Sequence, residues 1–315
     1  MLYMSFQSKY LNNEIRKNQK NILWIHNTTD NIGDSLMKTS SIRYLKSQGY
    51  SVDLCVPERF YDLYRINSYC NNVVRLDSLP NNHKNYDLVM LDALSSKCLK
   101  IKMRYFNSLP FITLYGYFNY YRADYNLILF SWYRVQYLLN HNEEIDKIAK
   151  PFVSELIDDK ILNLGLNHRF IAIICGGVED YRTYNKWNKV LSIIDKKESE
   201  VLPVVLIGSD NGAASANKII SQFKDRKNLI NAVGNYTLSE TKSIISCCKL
   251  VVGPDGGLLQ IANALDKKII ALFAQIDCRL RFTEATDYKC LYDERSVNNI
   301  AAENISKEIG NAIKM

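Results

Sequence analysis

Residues 249–277 read KLVVGPDGGLLQIANALDKKIIALFAQID. Leu250 to Val252 is a short apolar run with two β-branched residues, the composition of a buried strand. Gly253 to Gly257 reads as a tight loop, Leu258 to Leu265 as a short helix and Ile269 to Phe273 as a second buried strand. A strand, a glycine-containing turn and a helix is how α/β proteins offer backbone N–H groups to phosphate. The first helical turn has donors without intrahelical partners and a partial positive charge, and glycine admits close approach. Asp255, after the strand and ahead of the helix, is placed either to bind a hydroxyl or to cap the helix. The same pattern also occurs as plain α/β architecture, so the local reading leaves a ligand role and a structural role both open.

Outward from this stretch the alternation continues. FIAIICGG (170–177) is a strand, VEDYRTYNKW a polar loop leading into a helix, VLPVVLIG (201–208) a strand and SDNGAASANKIISQF (209–223) a helix. The first half follows the same logic with different residues. NILWIH (21–26) is a strand, the polar loop after it contains Gly33-Asp34, and a helix with apolar Leu36, Ile42 and Leu45 ends at Gly49 ahead of the strand SVDLCV. Each half therefore opens as a Rossmann-like βαβ unit, with its loops at the carboxyl edge of a parallel sheet. A charged segment, Pro151 and a turn at 164–167 mark the boundary. We divide the chain into domains 1–155 and 156–315, with the last helical pattern, from Asn298, able to pack across the junction. Residues 1–20 read as a basic lead-in, either a short helix or a frayed end.

The composition is that of a globular protein, 47% hydrophobic and 23% charged over 315 residues. No apolar run approaches the roughly 18 to 20 residues that span a bilayer, and residues 1–20 lack a signal-peptide core. The eight cysteines are scattered without a C-x-x-C pair, which argues against a disulfide or zinc framework and for a reduced, cytoplasmic setting. The net charge of +7 is uneven: residues 1–150 hold 19 Lys+Arg against 13 Asp+Glu, and residues 151–315 hold 21 against 20. The first half is thus expected to meet an anionic partner. No helix-turn-helix, zinc finger or RNA-sheet motif is visible, so nucleic acid is not the expected one. Between Ser95 and Asn140, Lys97, Arg104 and Arg122 are interleaved with many aromatic residues. Aromatic faces stack on sugar rings and cations hold phosphate or carboxylate, although many of these rings are also expected in the core.

These motifs resemble those of the lipopolysaccharide heptosyltransferases, glycosyltransferase family nine. In the stretch at 249–277, Gly253, Asp255, Gly257, Ala262, Ala264, Leu265, Leu272 and Phe273 fit the family's donor signature. Gly256 stands where the family has Ser or Thr, Gln260 where it has His, and Ala274 where it has Gly. In the opening unit Gly33-Asp34, Thr39, Leu45 and Lys46 fit, while His26 replaces an Arg and Ser41 a Pro. After the strand at 170–175, Arg182 and Trp187 fit, and Gly177 falls at a family small-residue position. The family lysine falls on Asn185 with Lys186 beside it. Leu238 and Glu240 match a further run, and Asp92 and Lys97 have near equivalents.

The resemblance implies a GT-B architecture, two Rossmann-like domains facing a central cleft, and an inverting glycosyltransferase. Asp34 would be the general base, a role that a carboxylate at the head of a helix can fill on physical grounds as well; the structural alternative is an N-cap. Gly33, Gly177, Arg182, Lys186, Asp255, Gly256, Gly257 and Gln260 would bind a nucleotide-diphosphate sugar, a co-substrate rather than a cofactor. Lys97, Arg104 and Arg122 would face an anionic glycolipid acceptor of the lipopolysaccharide core, with transient contact at the membrane surface. No metal is expected, because there is no D-x-D motif and helix dipole plus basic side chains serve the diphosphate. A nucleotide-sugar epimerase of the same fold and a non-catalytic sugar-nucleotide or glycan-binding relative are the alternatives, the second favoured by the changes at Gly256 and Gln260. An oxidoreductase is disfavoured, since neither half carries G-x-G-x-x-G after its first strand.

Overall fold

A computed structural model describes residues 6–27, 31–79, 85–115, 125–143, 149–162, 170–197 and 203–314. Two compact units divide the chain, Met1–Glu155 and Leu156–Met315. The first unit runs β1 (Asn21–Ile25), α1 (Ile32–Lys38), α2 (Ser41–Ser47), β2 (Ser51–Val56), α3 (Glu58–Tyr64), β3 (Asn72–Arg75), β4 (Leu88–Ala93), α4 (Ser96–Phe106), β5 (Phe111–Tyr115) and α5 (Leu127–Leu138). Its sheet has the order β3-β2-β1-β4-β5 and every pairing is parallel. Parallel strands covered by helices on both faces are apolar throughout. Accordingly all six residues of β4, LVMLDA, are buried, its aspartate included.

The second unit runs α6 (Asp159–Leu162), β6 (Ile171–Ile174), α7 (Trp187–Lys197), β7 (Val204–Ile207), α8 (Ala213–Gln222), β8 (Leu229–Asn231), α9 (Leu238–Cys247), β9 (Leu250–Pro254), α10 (Gly257–Ala264), β10 (Lys268–Ala274), β11 (Tyr288–Asp293) and α11 (Ala302–Lys314). The order β11-β10-β9-β6-β7-β8 is again wholly parallel. Counted from the unit's first strand this is the doubly wound order 3-2-1-4-5-6, with its topological switch point between β6 and β9. In the first unit the switch point lies between β1 and β4. The opening stretch folds as β9–α10–β10, within a residue or two of its sequence reading. α11 packs against α7, burying Ile305 and Ile309, and the Ser306 hydroxyl donates to the Val190 carbonyl at 3.3 Å.

Local signals account for several boundaries. Thr237 and Glu240 form a reciprocal capping box at the head of α9, which gives this Glu a helix-starting role worth about 1 kcal/mol. In the described part of the N-terminal segment Ser8–Tyr10 is a short 3-10 turn, and the residues after it are tied to the first unit. Leu11 pairs with Phe111 on the outer edge of β5, Asn12 N–H donates to the Phe111 carbonyl at 2.8 Å, and Ile15 N–H donates to the Leu138 carbonyl at 2.7 Å. The buried Lys102 ammonium reaches Gln7 and the Asn107 carbonyl, and burial pushes its pKa down to about 8. The segment so covers an edge strand that would otherwise offer unpaired backbone groups. The aromatic-rich stretch after β4 divides as its composition suggests. Phe106, Phe111, Tyr115 and Trp132 are buried, whereas Tyr133 and Tyr137 are exposed. No helix among the described residues is long and apolar enough to cross a membrane, and all eight cysteines are free.

Candidate functional site

The carboxyl edge of the first sheet carries the loop from β1 to α1. Asp34 lies in the first turn of α1 and is partly exposed. It is not the N-cap, which is Asn31, so the capping role for this carboxylate falls away. Asp34 forms no ion pair or side-chain hydrogen bond among the described residues. α1 is fixed from behind, where the Ser131 hydroxyl of α5 donates to the Lys38 carbonyl at 2.5 Å. Gly33 precedes Asp34 in the same turn.

Beneath this turn is a buried polar chain that joins two motif positions, His26 and Asp92, to residues no motif singled out. Asp92 closes β4 and is fully buried, with Trp24 Nε1–H donating to it at 2.7 Å. His26 Nδ1 lies 2.8 Å from both Asp92 oxygens, and His26 Nε2 lies 2.6 Å from the hydroxyl of Ser35, the residue after Asp34. The Ser35 hydroxyl meets the Tyr64 hydroxyl at 3.3 Å. Burial by itself would raise the Asp92 pKa. The charge and hydrogen bond of His26, the charge of Lys38 and the Trp24 donor outweigh it and hold the carboxyl down to about 2. An ionised Asp92 makes Nδ1 the donor. The Ser35 hydroxyl can give or take a hydrogen bond, so the chain is satisfied in either state of the ring. The order Ser, His, Asp resembles a hydrolase triad, but Ser35 is 0% exposed and reaches no substrate. The chain braces the turn that carries Asp34.

Of the residues expected at an acceptor, Lys97 is exposed at the head of α4, next to the carboxyl end of β4. Arg104 does not share that position. α4 runs back along the sheet between two parallel strands, so seven residues at 1.5 Å each put Arg104 about 10 Å further toward the opposite edge. There it is exposed, its guanidinium 5.2 Å from the Tyr105 ring. Spacing along the sequence could not reveal this, because the direction of the helix comes from the crossover. Arg122 lies outside the described residues.

At the carboxyl edge of the second sheet the switch point brings together loops distant in sequence. Gly176 and Gly177 follow β6, and Asp255 to Gly257 follow β9. Gly177 is packed so closely that a Cβ would meet the Arg182 carbonyl at 2.7 Å. This folds the loop back and delivers Arg182, in a 3-10 turn at Asp180–Arg182, onto Asp255. Arg182 Nη1 is 3.4 Å from Asp255 Oδ2, and Arg182 Nε–H donates to the Tyr181 hydroxyl at 2.9 Å. A further residue, Arg281, comes from the loop after β10, with Nε 3.8 Å from the same oxygen. No spacing in the sequence pointed to Arg281; only the pairing of β9 with β10 puts its loop on this edge.

The remaining expected donor residues separate into two groups. Gly256 and Gly257 are at the head of α10, with Gly256 as N-cap in extended conformation (φ 169°) and no side chain capping the helix. Asp255 is therefore not a cap either; its carboxylate is with the arginines. Gln260 was expected to face the donor but is buried in the interior, 1% exposed, and its Nε2–H donates to the Arg281 carbonyl at 3.0 Å. The physical reason is that the fourth residue of α10 points into the packed side of a helix buried on Leu259, Ile261 and Ala262. Lys186 is half-buried and its ammonium donates to the Asn298 carbonyl. Asn298 also donates to the Thr183 carbonyl at 2.6 Å and accepts from Asn185 N–H at 2.8 Å, so it clamps the loop that holds Arg182.

The two glycines flanking Asp255 differ in what they allow. A Cβ at Gly253 would sit on the Ile174 side chain, whereas a Cβ at Gly256 meets nothing within 4 Å. Gly253→Ala is expected to cost about 1–3 kcal/mol through overpacking, and Gly256→Ser less than about 0.5 kcal/mol. Chemical denaturation of the two variants checks the contrast, and equal midpoints would refute it.

Comparison with known proteins agrees with this architecture. The glycosyl transferase family 9 structure from Veillonella parvula DSM 2008 superimposes with a TM-score of 0.77 at 12% identity, over 96% of this chain and 99% of that one. E. coli heptosyltransferase WaaC with ADP gives 0.68 at 13% identity, over 93% and 99%. At such identities the likeness is one of fold, and the fold is GT-B, built from two Rossmann-like domains with parallel sheets. The family model described as glycosyltransferase family 9 (heptosyltransferase) matches residues 141–307, more than half of the sequence. This chain belongs to that family. It is also 31% identical to lipopolysaccharide heptosyltransferase 2 of Salmonella typhimurium over 77 residues, a match spanning 24% of this chain and 22% of that protein.

Proposed function

We propose that this protein is an inverting glycosyltransferase, moving a heptose or related sugar from a nucleotide-diphosphate donor to a lipopolysaccharide or lipooligosaccharide core acceptor. The observation that carries the reading is the meeting of Arg182 with Asp255 at the switch point of the second sheet, in a chain of the heptosyltransferase family. Ligands of doubly wound sheets bind at that edge. The cation at this loop suits a diphosphate, and the N–H groups at the head of α10 add to it.

In this mechanism Asp34 accepts the proton of the acceptor hydroxyl as its oxygen attacks the anomeric carbon. The bond from that carbon to the diphosphate oxygen breaks in the same step, so the configuration inverts and nucleoside diphosphate leaves. Positive charge on the protein stabilises the leaving group, which makes a metal unnecessary in this reading. Lys97, at the carboxyl edge of the first sheet, is offered to an anionic acceptor. The acceptor is a glycolipid, so we place the enzyme on the inner face of the bacterial inner membrane as a peripheral protein. The basic excess of the first half suits that surface.

Because the E. coli relative is described with ADP, ADP-heptose is the first donor to test, beside UDP-, GDP- and CMP-sugars. Calorimetry followed by product analysis with a core acceptor, with and without EDTA, tests the proposal. Inverted transfer product that survives EDTA supports it. Donor binding without any transfer product would favour a non-catalytic relative, for which the inward turn of Gln260 speaks. Release of an epimerised sugar would replace transfer by epimerisation.

A further inference from the structure

We propose that Arg281 is the second cation of a diphosphate-binding site organised by Asp255, with Arg182 the first. The ligand identity rests on the donor reading above, but the anion site rests on the geometry alone. Arg182 and Arg281 come from the loops after β6 and β10, the two strands that flank β9. Both guanidiniums share one carboxylate oxygen of Asp255, at 3.4 and 3.8 Å. Two positive charges against one negative leave an excess of one. The side chains are only 25% and 14% exposed, where water screens charge poorly.

The donors are also incompletely used. A guanidinium has five N–H groups. Arg182 spends Nε on the Tyr181 hydroxyl and faces Asp255 with Nη1, and Arg281 gives Nη1 to the Leu280 carbonyl and faces Asp255 with Nε. Among the described residues Nη2 of each has no hydrogen-bond partner. Two forks of N–H donors beside one another match the paired phosphoryl groups of a diphosphate better than a single phosphate.

Arg281 is held in place before any ligand arrives. Gln260 Nε2–H donates to the Arg281 carbonyl, the Gln260 carbonyl oxygen faces Asn263 Nδ2 at 3.4 Å, and Asn263 Oδ1 accepts from the Thr286 hydroxyl at 2.9 Å. Gln260 and Asn263 are each 1% exposed. This buried amide pair ties the main chain of Arg281 to α10, the helix that begins two residues after Asp255. The ordering cost of one ligand contact is thereby met in folding. Asp255 aims the two guanidiniums instead of contacting the anion itself.

Calorimetry on the full chain with inorganic pyrophosphate, ADP, AMP and adenosine tests this. Wild type is expected to bind pyrophosphate and ADP more tightly than AMP. Arg281→Met should weaken pyrophosphate and ADP about ten- to hundredfold, the range for a charged hydrogen-bonding group, and leave adenosine unchanged. Arg281→Lys keeps the charge and loses the fork, so it should fall between the two. A Met variant that binds pyrophosphate like wild type, or that loses adenosine equally, overturns the proposal. If the Met variant does not fold, the Lys variant decides: wild-type pyrophosphate affinity there overturns it. Failure of wild type to bind pyrophosphate at millimolar concentration overturns it as well. Arg281-dependent pyrophosphate binding in a protein that takes no nucleotide sugar supports the anion site and sinks the donor reading instead.

Discussion

Asp34→Asn is expected to keep the fold and donor binding while lowering turnover by about a hundredfold to ten-thousandfold, the usual contribution of a positioned base. The side chain lies partly exposed in the first turn of α1 and forms no ion pair among the described residues. Its amide therefore fits without loss of a partner, and the stability should stay within the range of a neutral surface change, about 0.5 kcal/mol. The loss belongs in kcat, because the proton moves only in the transition state, so a donor KM that rises in parallel would point to a binding role. Steady-state kinetics with a calorimetric donor titration separates the two. A variant that turns over at near wild-type rate removes Asp34 from the mechanism.

The second large effect is on stability. Asp92→Asn removes the charge from a fully buried carboxylate that accepts from Trp24 and faces His26. Removing the charge from a buried acceptor whose hydrogen-bond partners stay in place costs about 3 kcal/mol. For a unit of this size that corresponds to a fall of roughly 10 °C in melting temperature. The pH dependence follows from the same residue. Its folded pKa, about 2, lies below the unfolded carboxylate value of about 3.9. The wild type accordingly holds this contribution, roughly 2.5 kcal/mol, above about pH 5 and loses it as pH falls through 4 toward 2. The Asn variant should lack that part of the acid slope. Urea titrations at pH 7 and at about pH 2.5 measure both. A variant as stable as wild type at pH 7, with an unchanged slope, would mean that the buried chain beneath Asp34 contributes little.

Much of the architecture was legible because it depends on short-range patterning. Buried parallel strands must be apolar along their length, and LVV, IAII and LVMLDA are short enough to be strands rather than helices. The glycine turn and the Asp after β9 were visible for the same reason: loop chemistry is local. The capping role offered to Asp34 and Asp255 was legible too, yet it failed for both. Capping depends on which residue occupies the half-turn position, and Asn31 and Gly256 hold those places. Gln260 was misread because helical facing depends on what covers α10, which a motif position does not say.

By itself, then, the amino-acid sequence determined the alternation of strands and helices, the glycine loops at the carboxyl ends of β6 and β9, and the placing of Asp34 and Asp255 at the heads of helices. Those features follow from side-chain size, β-branching and turn chemistry within a few residues. The convergence of Arg182 and Arg281 on one oxygen of Asp255, and the joining of His26, Asp92 and Ser35 in one buried chain, come from the packing of distant segments. The reason is strand order. Parallel pairing sets β9 between β6 and β10, and β1 beside β4, so residues far apart in sequence end on the same sheet edge. Burial there then forces each polar group to find its partner.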